Sequence, residues 1–273
     1  MKYFIIKNLK KILSFLLKFR LFRFIFFLIS DEVNNYTINS PDKDLKFFCP
    51  NYLIKYRIDT ILSKEPDTIT WIKKFKKKDI FYDIGANIGL YSCFAAKFGI
   101  KTFAFEPSIF NTETLVKNIN LNNLNKLITL IPISLHKENL ISSFKLSNIE
   151  KGGALSTFSE VYTHDGKKMH AEMAYDTTGM GLDKLKEIFN LPYPDHIKID
   201  VDGIEHIILL GAENTLKKCN SILIEVNENF LDQYKEVIRI LKKNNFKLTS
   251  KNLTSDSMFH NKTFNQIWEK TYN

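Results

Sequence analysis

From about Phe81 onward, short apolar runs alternate with longer stretches in which apolar residues recur every three or four positions. Short runs suit buried strands, and the longer recurrence suits helices that cover them. The pattern predicts strands over Ile80–Ile84, Thr102–Phe105, Ile128–Ile133, His196–Ile199 and Ile222–Val226. It predicts helices over Leu90–Phe98, Thr112–Leu121, Ile204–Leu216 and Phe230–Asn244. That alternation is the mark of an α/β fold around a parallel sheet. Between about 140 and 182 the rhythm breaks into short β-like pieces and turns, and a further helix begins at Leu182. An insertion of that length near a crevice mouth predicts a substrate cover. The expected layout is an N-terminal helix over 1–30, a mixed entry segment over 31–79 with no identifiable chemistry, and a main domain over 80–273.

The first thirty residues follow a different pattern. On a helical wheel Lys7, Lys10, Lys11, Ser14 and Lys18 share one face, and Ile5, Ile6, Leu9, Ile12, Leu13, Leu16, Leu17 and Phe19 the other. Charges interrupt every apolar run before it reaches the ~20 residues a bilayer span needs. No small-residue cleavage site marks a signal peptide. A basic amphipathic helix of this type either lies in a membrane interface or docks on protein.

Composition narrows the partners. The 273 residues carry a formal net charge of +9, which fits an anionic partner such as lipid, a phosphorylated substrate or nucleic acid. No basic patch interleaved with aromatics appears in the main domain, so nucleic acid is not the expected partner. Cys49, Cys93 and Cys219 are odd in number and far apart, which argues against disulfides and zinc and for a reducing, cytoplasmic compartment. Peripheral contact with the inner membrane face, through residues 1–30, stays open.

Each predicted strand ends in a polar residue: Asp83, Glu106, Ser134, Asp200 and Glu225. Ligands of open parallel sheets bind beyond the carboxyl ends of the strands, so these groups converge on one crevice. The turn "DIGANIG" after the first strand does not match Gly-x-Gly-x-x-Gly, because Asn87 and Leu90 occupy two of the required positions. It lacks the Gly-Lys-Ser/Thr ending of a phosphate-binding loop. A cationic cofactor without phosphate fits better. S-adenosylmethionine would place its amino acid head against Asp83, approach the backbone at Gly85 and Gly89, and have its ribose hydroxyls held by Glu106.

The stretches "FYDIGANIGLYS", "FAFEPS", "LDKLKEIF", "HIKIDVDGIEHIILLGAENTL" and "SILIEVNE", in that order, resemble the FkbM-type S-adenosylmethionine-dependent methyltransferases over roughly 45–270. The resemblance implies a class I, Rossmann-like fold with a mostly parallel seven-stranded sheet, and O-methylation, commonly of sugars or secondary metabolites. By position it implies cofactor binding by Asp83, Gly85, Asn87, Gly89 and Glu106, to which Pro107 and Ser134 are added from the neighbouring strand ends. Asp200, Gly203 and Glu205 match the family's Asp-Val-Glu-Gly-x-Glu segment, with Asp202 in place of the usual Glu.

Asp200 is the first choice for general base or hydroxyl-orienting group, with Glu225, Asn227 and Glu205 completing the expected catalytic set. Asp200, Glu225 and Asn227 would also suit magnesium. Three oxygens at strand ends are common without a metal, so no metal ligand is assigned. His136, His164 and His170 are further base candidates, and Ser156 and Thr157 are expected as hydroxyl ligands for a glycan. The expected acceptor is a sugar hydroxyl of a surface glycan, glycolipid or related metabolite. Two alternatives stand beside it: a nucleic-acid methyltransferase, and a non-catalytic cofactor-binding module in a glycan-assembly complex. Nothing in the pattern bears on oligomeric state.

Overall fold

The computed structural model describes residues 2–41, 44–253 and 262–271. Two helices come first, α1 (Lys2–Leu16) and α2 (Arg20–Asn35). A small antiparallel hairpin, β1 (Thr37–Asn39) and β2 (Lys46–Phe48), leads to α3 (Tyr52–Asp59) and α4 (Pro66–Ile72). The main unit then runs β3 (Ile80–Ile84), α5 (Leu90–Lys97), β4 (Lys101–Phe105), α6 (Ile109–Leu121) and β5 (Ile128–Ile131). The cover follows: β6 (Ser134–Leu135), β7 (Leu140–Leu146), β8 (Ser156–Phe158) and β9 (Met173–Met180). After it come α7 (Leu182–Ile188), β10 (His196–Ile199), α8 (Glu205–Leu210), α9 (Glu213–Lys218) and β11 (Ser221–Asn227). The chain ends with α10 (Leu231–Lys243), β12 (Phe246–Leu253) and β13 (Thr263–Lys270).

The seven-stranded sheet has the order β12-β13-β11-β10-β3-β4-β5. The five strands from β11 to β5 are parallel, while β13 is antiparallel to both β11 and β12. The direction of winding reverses between β3 and β10, so a crevice opens above their adjacent tips. Alternating side chains give each face its own core. Tyr82, Ile84, Ile197, Ile199, Ile222 and Ile224 face α7 to α10 and the cover. Phe81, Ala104 and Leu223 face α5, α6 and the entry segment, whose Phe47, Ile54, Ile58, Trp71 and Ile72 are all but inaccessible. The entry segment is therefore packed into the main core. Asn118 of α6 and Asn122, which caps that helix, hold its hairpin, accepting from the backbone N–H groups of Phe48 and Lys46 at 2.9 Å each.

The cover is a second sheet, order β6-β9-β7-β8. Its Gly152–Gly153 stretch is latched down from four sides. Asn51 donates to the Lys151 carbonyl (2.9 Å), Arg57 to that of Gly152 (2.7 Å), and Asn87 and Asn111 to that of Gly153 (2.8 and 3.1 Å).

Three elements depart from the sequence pattern. The strand expected over Ile128–Ile133 stops at Ile131, because Pro132 has no N–H to extend the ladder, and Ser134 starts a strand of the cover sheet. The helix expected over Ile204–Leu216 is two, α8 and α9, with Gly211 between them. A Cβ on Gly211 would lie 2.3 Å from the His136 carbonyl oxygen, so this backbone passes closer to the cover than any other residue allows. The single N-terminal helix is also two, parted at Leu17–Phe19 by a break that no residue there requires. Lys7 and Lys10, assigned to its basic face, have side chains outside the described residues. Among the described residues no helix is long and apolar enough to cross a membrane.

Because the atom facing Gly211 is backbone, Gly211→Ala is expected to cost about 1–3 kcal/mol through overpacking. Thermal unfolding measures it, and an unchanged melting temperature would mean that the helix junction is looser than this contact.

Candidate active site

Two adjoining cavities open over the strand tips, one of about 390 Å³ and a narrower slot of about 70 Å³. Gly85, Asn87, Asp200 and Asp202 line both. The turn after β3 is held to the neighbouring strand, since Gly85 and Ala86 both donate to the Phe105 carbonyl at 3.0 Å. Gly85 has φ +82°, and a Cβ there would lie 1.9 Å from the Asp200 carbonyl oxygen, so only glycine lets the two tips meet.

The slot is the smaller of the two. Glu106, Pro107, Asn111 and Ser134 form one side, and Gly153, Ser156, Thr157 and Phe158 of the cover form the other. Glu106 accepts from the backbone N–H of Asn87 (2.7 Å) and of Ser108 (2.9 Å), and burial pushes its carboxyl up to about 7. The hydroxyls of Ser134 and Thr157 are buried here and have no hydrogen-bond partner.

The larger cavity has walls of opposite sign. Asp200, Asp202, Glu225 and His164 line it on the strand-tip side, and Arg57, Lys64 and Glu65 come from the entry segment. One oxygen each of Asp200, Asp202 and Glu225 lies within 4.8 Å of the others. Burial would raise Asp200, but Lys198, whose Nζ donates to Asp200 Oδ2 at 2.7 Å, outweighs it. With Lys64 and Arg57, it holds the carboxyl below the usual carboxylate range. Burial raises Glu225 well above that range, and Asp200 and Asp202 beside it push the same way. The surroundings thus push Asp200 and Glu225 in opposite directions.

Lys198 explains the arrangement below. It pairs in register with Asp83 across β10 and β3, and Asp200 lies two residues further on the same side of its strand. The lysine is 1% exposed, and burial alone would lower it. Asp200, Glu65 and Asp83 outweigh that penalty and keep it charged.

Several sequence expectations change accordingly. Asp83 lines neither cavity: it points into the face under α5, accepts from the Ser92 hydroxyl at 2.6 Å, and lies in the field of Lys198. Gly89 is also away from both; a Cβ there would lie 2.1 Å from Leu115 Cδ1, so its role is to seat α5 on α6. Glu205 is buried and lines neither cavity, accepting instead from the N–H groups of Val201 (3.1 Å) and Gly203 (3.1 Å) and from Gln233 Nε2. Asn227 likewise closes a turn: its side chain accepts from Asn229 N–H (2.9 Å) and donates to the His164 carbonyl (3.1 Å). Both were expected in the catalytic set, and both shape the backbone beneath it. Ser156 and Thr157 sit in the slot with Glu106, not on the acceptor side. His136 is buried against Phe158 and His170 is exposed away from the cavities, so of the three histidines only His164 reaches one.

Asp200, Glu225, Gly85, Asn87, Glu106, Pro107 and Ser134 do come together as expected. Arg57, Lys64 and Glu65 were missed, because they precede the first sheet strand by fifteen residues or more and stand in no motif.

A parallel sheet with this strand order, one antiparallel strand and a glycine turn at its switch point is the fold of the class I methyltransferases. The match to the model of the methyltransferase FkbM domain covers residues 83–248, and the chain belongs to that family. The hexuronic acid methyltransferase AglP of Haloferax volcanii is 28% identical over 169 residues, covering 61% of this chain and 64% of that protein. The crystal structure of a methyltransferase FkbM from Methylobacillus flagellatus KT superposes with a TM-score of 0.50 at 14% identity, over 72% of this chain and 44% of that one. The protein PH0793 of Pyrococcus horikoshii superposes at 0.51 with 11% identity, over 88% and 73%. These superpositions bear on the fold alone.

The raised Glu106 gives a pH dependence. Unfolded, it releases its proton near the ordinary glutamate value, whereas folded it keeps the proton up to about 7. Its contribution to stability is therefore complete at low pH and is lost as pH rises through about 7. Between about pH 5 and pH 8 the wild-type melting temperature should fall relative to that of Glu106→Gln. Parallel curves would show that Glu106 is not so shifted.

Proposed function

We propose that this enzyme transfers a methyl group from S-adenosylmethionine to a sugar hydroxyl of an acidic glycan or glycolipid. The observation that carries the reading is the larger cavity's pair of opposed walls, acidic at the strand tips and basic at the entry segment.

The residues of the slot fit the cofactor. Ser134 and Thr157 are buried hydroxyls without partners, which an adenine edge would satisfy. Glu106 can accept from both ribose hydroxyls, using lone pairs its two N–H donors leave over. Gly85, whose φ of +82° sets the turn, contributes its backbone to the lining of the slot. Asp83 is turned away, so Glu65 is the carboxylate for the cofactor's ammonium group. It lines the cavity and already accepts from Tyr91 OH at 3.0 Å. When bound, the cofactor supplies an electrophilic methyl group.

The chain's own contribution is alignment and proton removal. Ionised Asp200 accepts the hydrogen bond of the acceptor hydroxyl and takes its proton as the oxygen becomes nucleophilic. Glu225, carrying its proton, can donate to a neighbouring sugar oxygen. His164 Nδ1, buried and unpartnered, offers a third contact on the same wall. Holding the hydroxyl on line with the methyl is worth up to about 7–11 kcal/mol in favourable cases. An acid group on the sugar would be repelled by this wall and received by Arg57 and Lys64 opposite. The relative AglP, named for a hexuronic acid, supports an acceptor of that class. Cys49, Cys93 and Cys219, all free and buried, support work in a reducing compartment.

The test is transfer measured by mass spectrometry, with uronic acid glycosides and matched neutral glycosides as acceptors. Asp200→Asn is expected to lower the rate about 10²- to 10⁴-fold with the cofactor still bound. Wild-type rates in that variant would remove Asp200 as the base. Lys64→Gln is expected to raise KM for the acidic acceptor about 10- to 100-fold, leaving cofactor affinity in place. Loss of cofactor affinity instead would reassign Lys64 to the carboxylate of the cofactor.

A further inference from the structure

The helix pair that precedes the main unit leaves much of its apolar surface exposed among the described residues. Helix α2 is exposed along its apolar half: Leu21 is 66% accessible, Phe27 65% and Phe24 60%. Of the nine residues from Leu21 to Ile29 only Arg23 is not apolar, and at 100° per residue the other eight surround the helix axis. A helix that is apolar all round does not remain in water. Helix α1 continues the same surface through Leu9, Ile12, Leu13 and Phe15.

We propose that α1 and α2 lie in the interfacial layer of an anionic bilayer, with Leu21–Ile29 in the acyl boundary. Charge selects the occupant. Lys11, Arg20 and Arg23 on these helices and Lys18 in the break between them are all exposed, and no acidic residue occurs before Asp31. Basic residues beside an apolar segment attract anionic headgroups while the apolar side chains enter the boundary below them. A second copy of the chain fits worse, because pairing two helices buries one side of each and leaves the rest of an all-round apolar surface wet. It would also bring two basic clusters together. The nine apolar-rich residues are too short to cross the hydrocarbon core, which places the helix in the interface rather than through it. The link to the catalytic unit is the single residue Tyr36, whose carbonyl accepts from Cys49 N–H at 2.8 Å. Docking would therefore hold the active site near the lipid surface, where a lipid-borne acceptor is presented. The surface itself does not depend on which acceptor the enzyme uses.

The experiment is sedimentation of the full chain with vesicles of phosphatidylcholine alone and of phosphatidylcholine mixed with phosphatidylglycerol. The wild type is expected to pellet with the mixed vesicles and much less with the neutral ones. Arg20→Gln with Arg23→Gln should bind the mixed vesicles about 30-fold more weakly. Phe24→Ser with Phe27→Ser should stay in the supernatant with both while melting at the wild-type temperature, since α2 supports no part of the catalytic core. A wild type that stays in the supernatant with both vesicles overturns the proposal. So does a wild-type dimer that ignores vesicles and falls apart in the phenylalanine variant, which would assign the surface to a second copy.

Discussion

The tips of two neighbouring parallel strands, β3 and β10, touch at one point: the backbone of Gly85 lies against the carbonyl of Asp200. Nothing larger than hydrogen fits on the glycine there. This contact brings the glycine turn and the Asp200 carboxylate to the same floor, so that the slot and the larger cavity share Gly85, Asn87, Asp200 and Asp202. A bulkier residue would part the strands or flip the turn, and the two cavities would no longer lie side by side.

Below that floor the charges are arranged in a column. Lys198 is a buried cation, and a buried cation is tolerated only with paired anions and good hydrogen bonds. It has Asp83 beside it and Asp200 above it. The consequence is a division along one wall, because Lys198 lowers Asp200 while burial, with Asp200 and Asp202, raises Glu225. Pairs of acids whose environments push them apart are how a site holds a base and a donor at the same pH.

The cover and the entry segment complete the site from opposite directions in sequence. Arg57 illustrates the economy of this arrangement: one guanidinium lines the larger cavity and also holds the Gly152 carbonyl of the cover. Asp202, at φ +63°, accepts from Leu155 N–H at 2.6 Å and ties the cover to the loop after β10. Backbone held in a sparsely populated region persists where its surroundings over-determine it, and such positions cluster at working sites.

The periodicities of the sequence determined the sheet's five parallel strands, the helices between them and the glycine turn, because apolar spacing and turn chemistry act over a few neighbouring residues. They also placed Asp200, Glu225 and Glu106 at strand ends, where a parallel sheet puts its ligands. Which way each side chain points was decided elsewhere. Asp83 and Glu106 end adjacent strands with the same local signature, yet one is turned under α5 and the other opens into the slot. Glu205 looked like a site acid and is a backbone brace, since the N–H groups that claim it became visible only once the loop closed. Arg57, Lys64 and Glu65 carry no motif at all. Their presence at the cavity follows from packing α3 and α4 against the sheet, a long-range contact whose outcome local spacing does not encode.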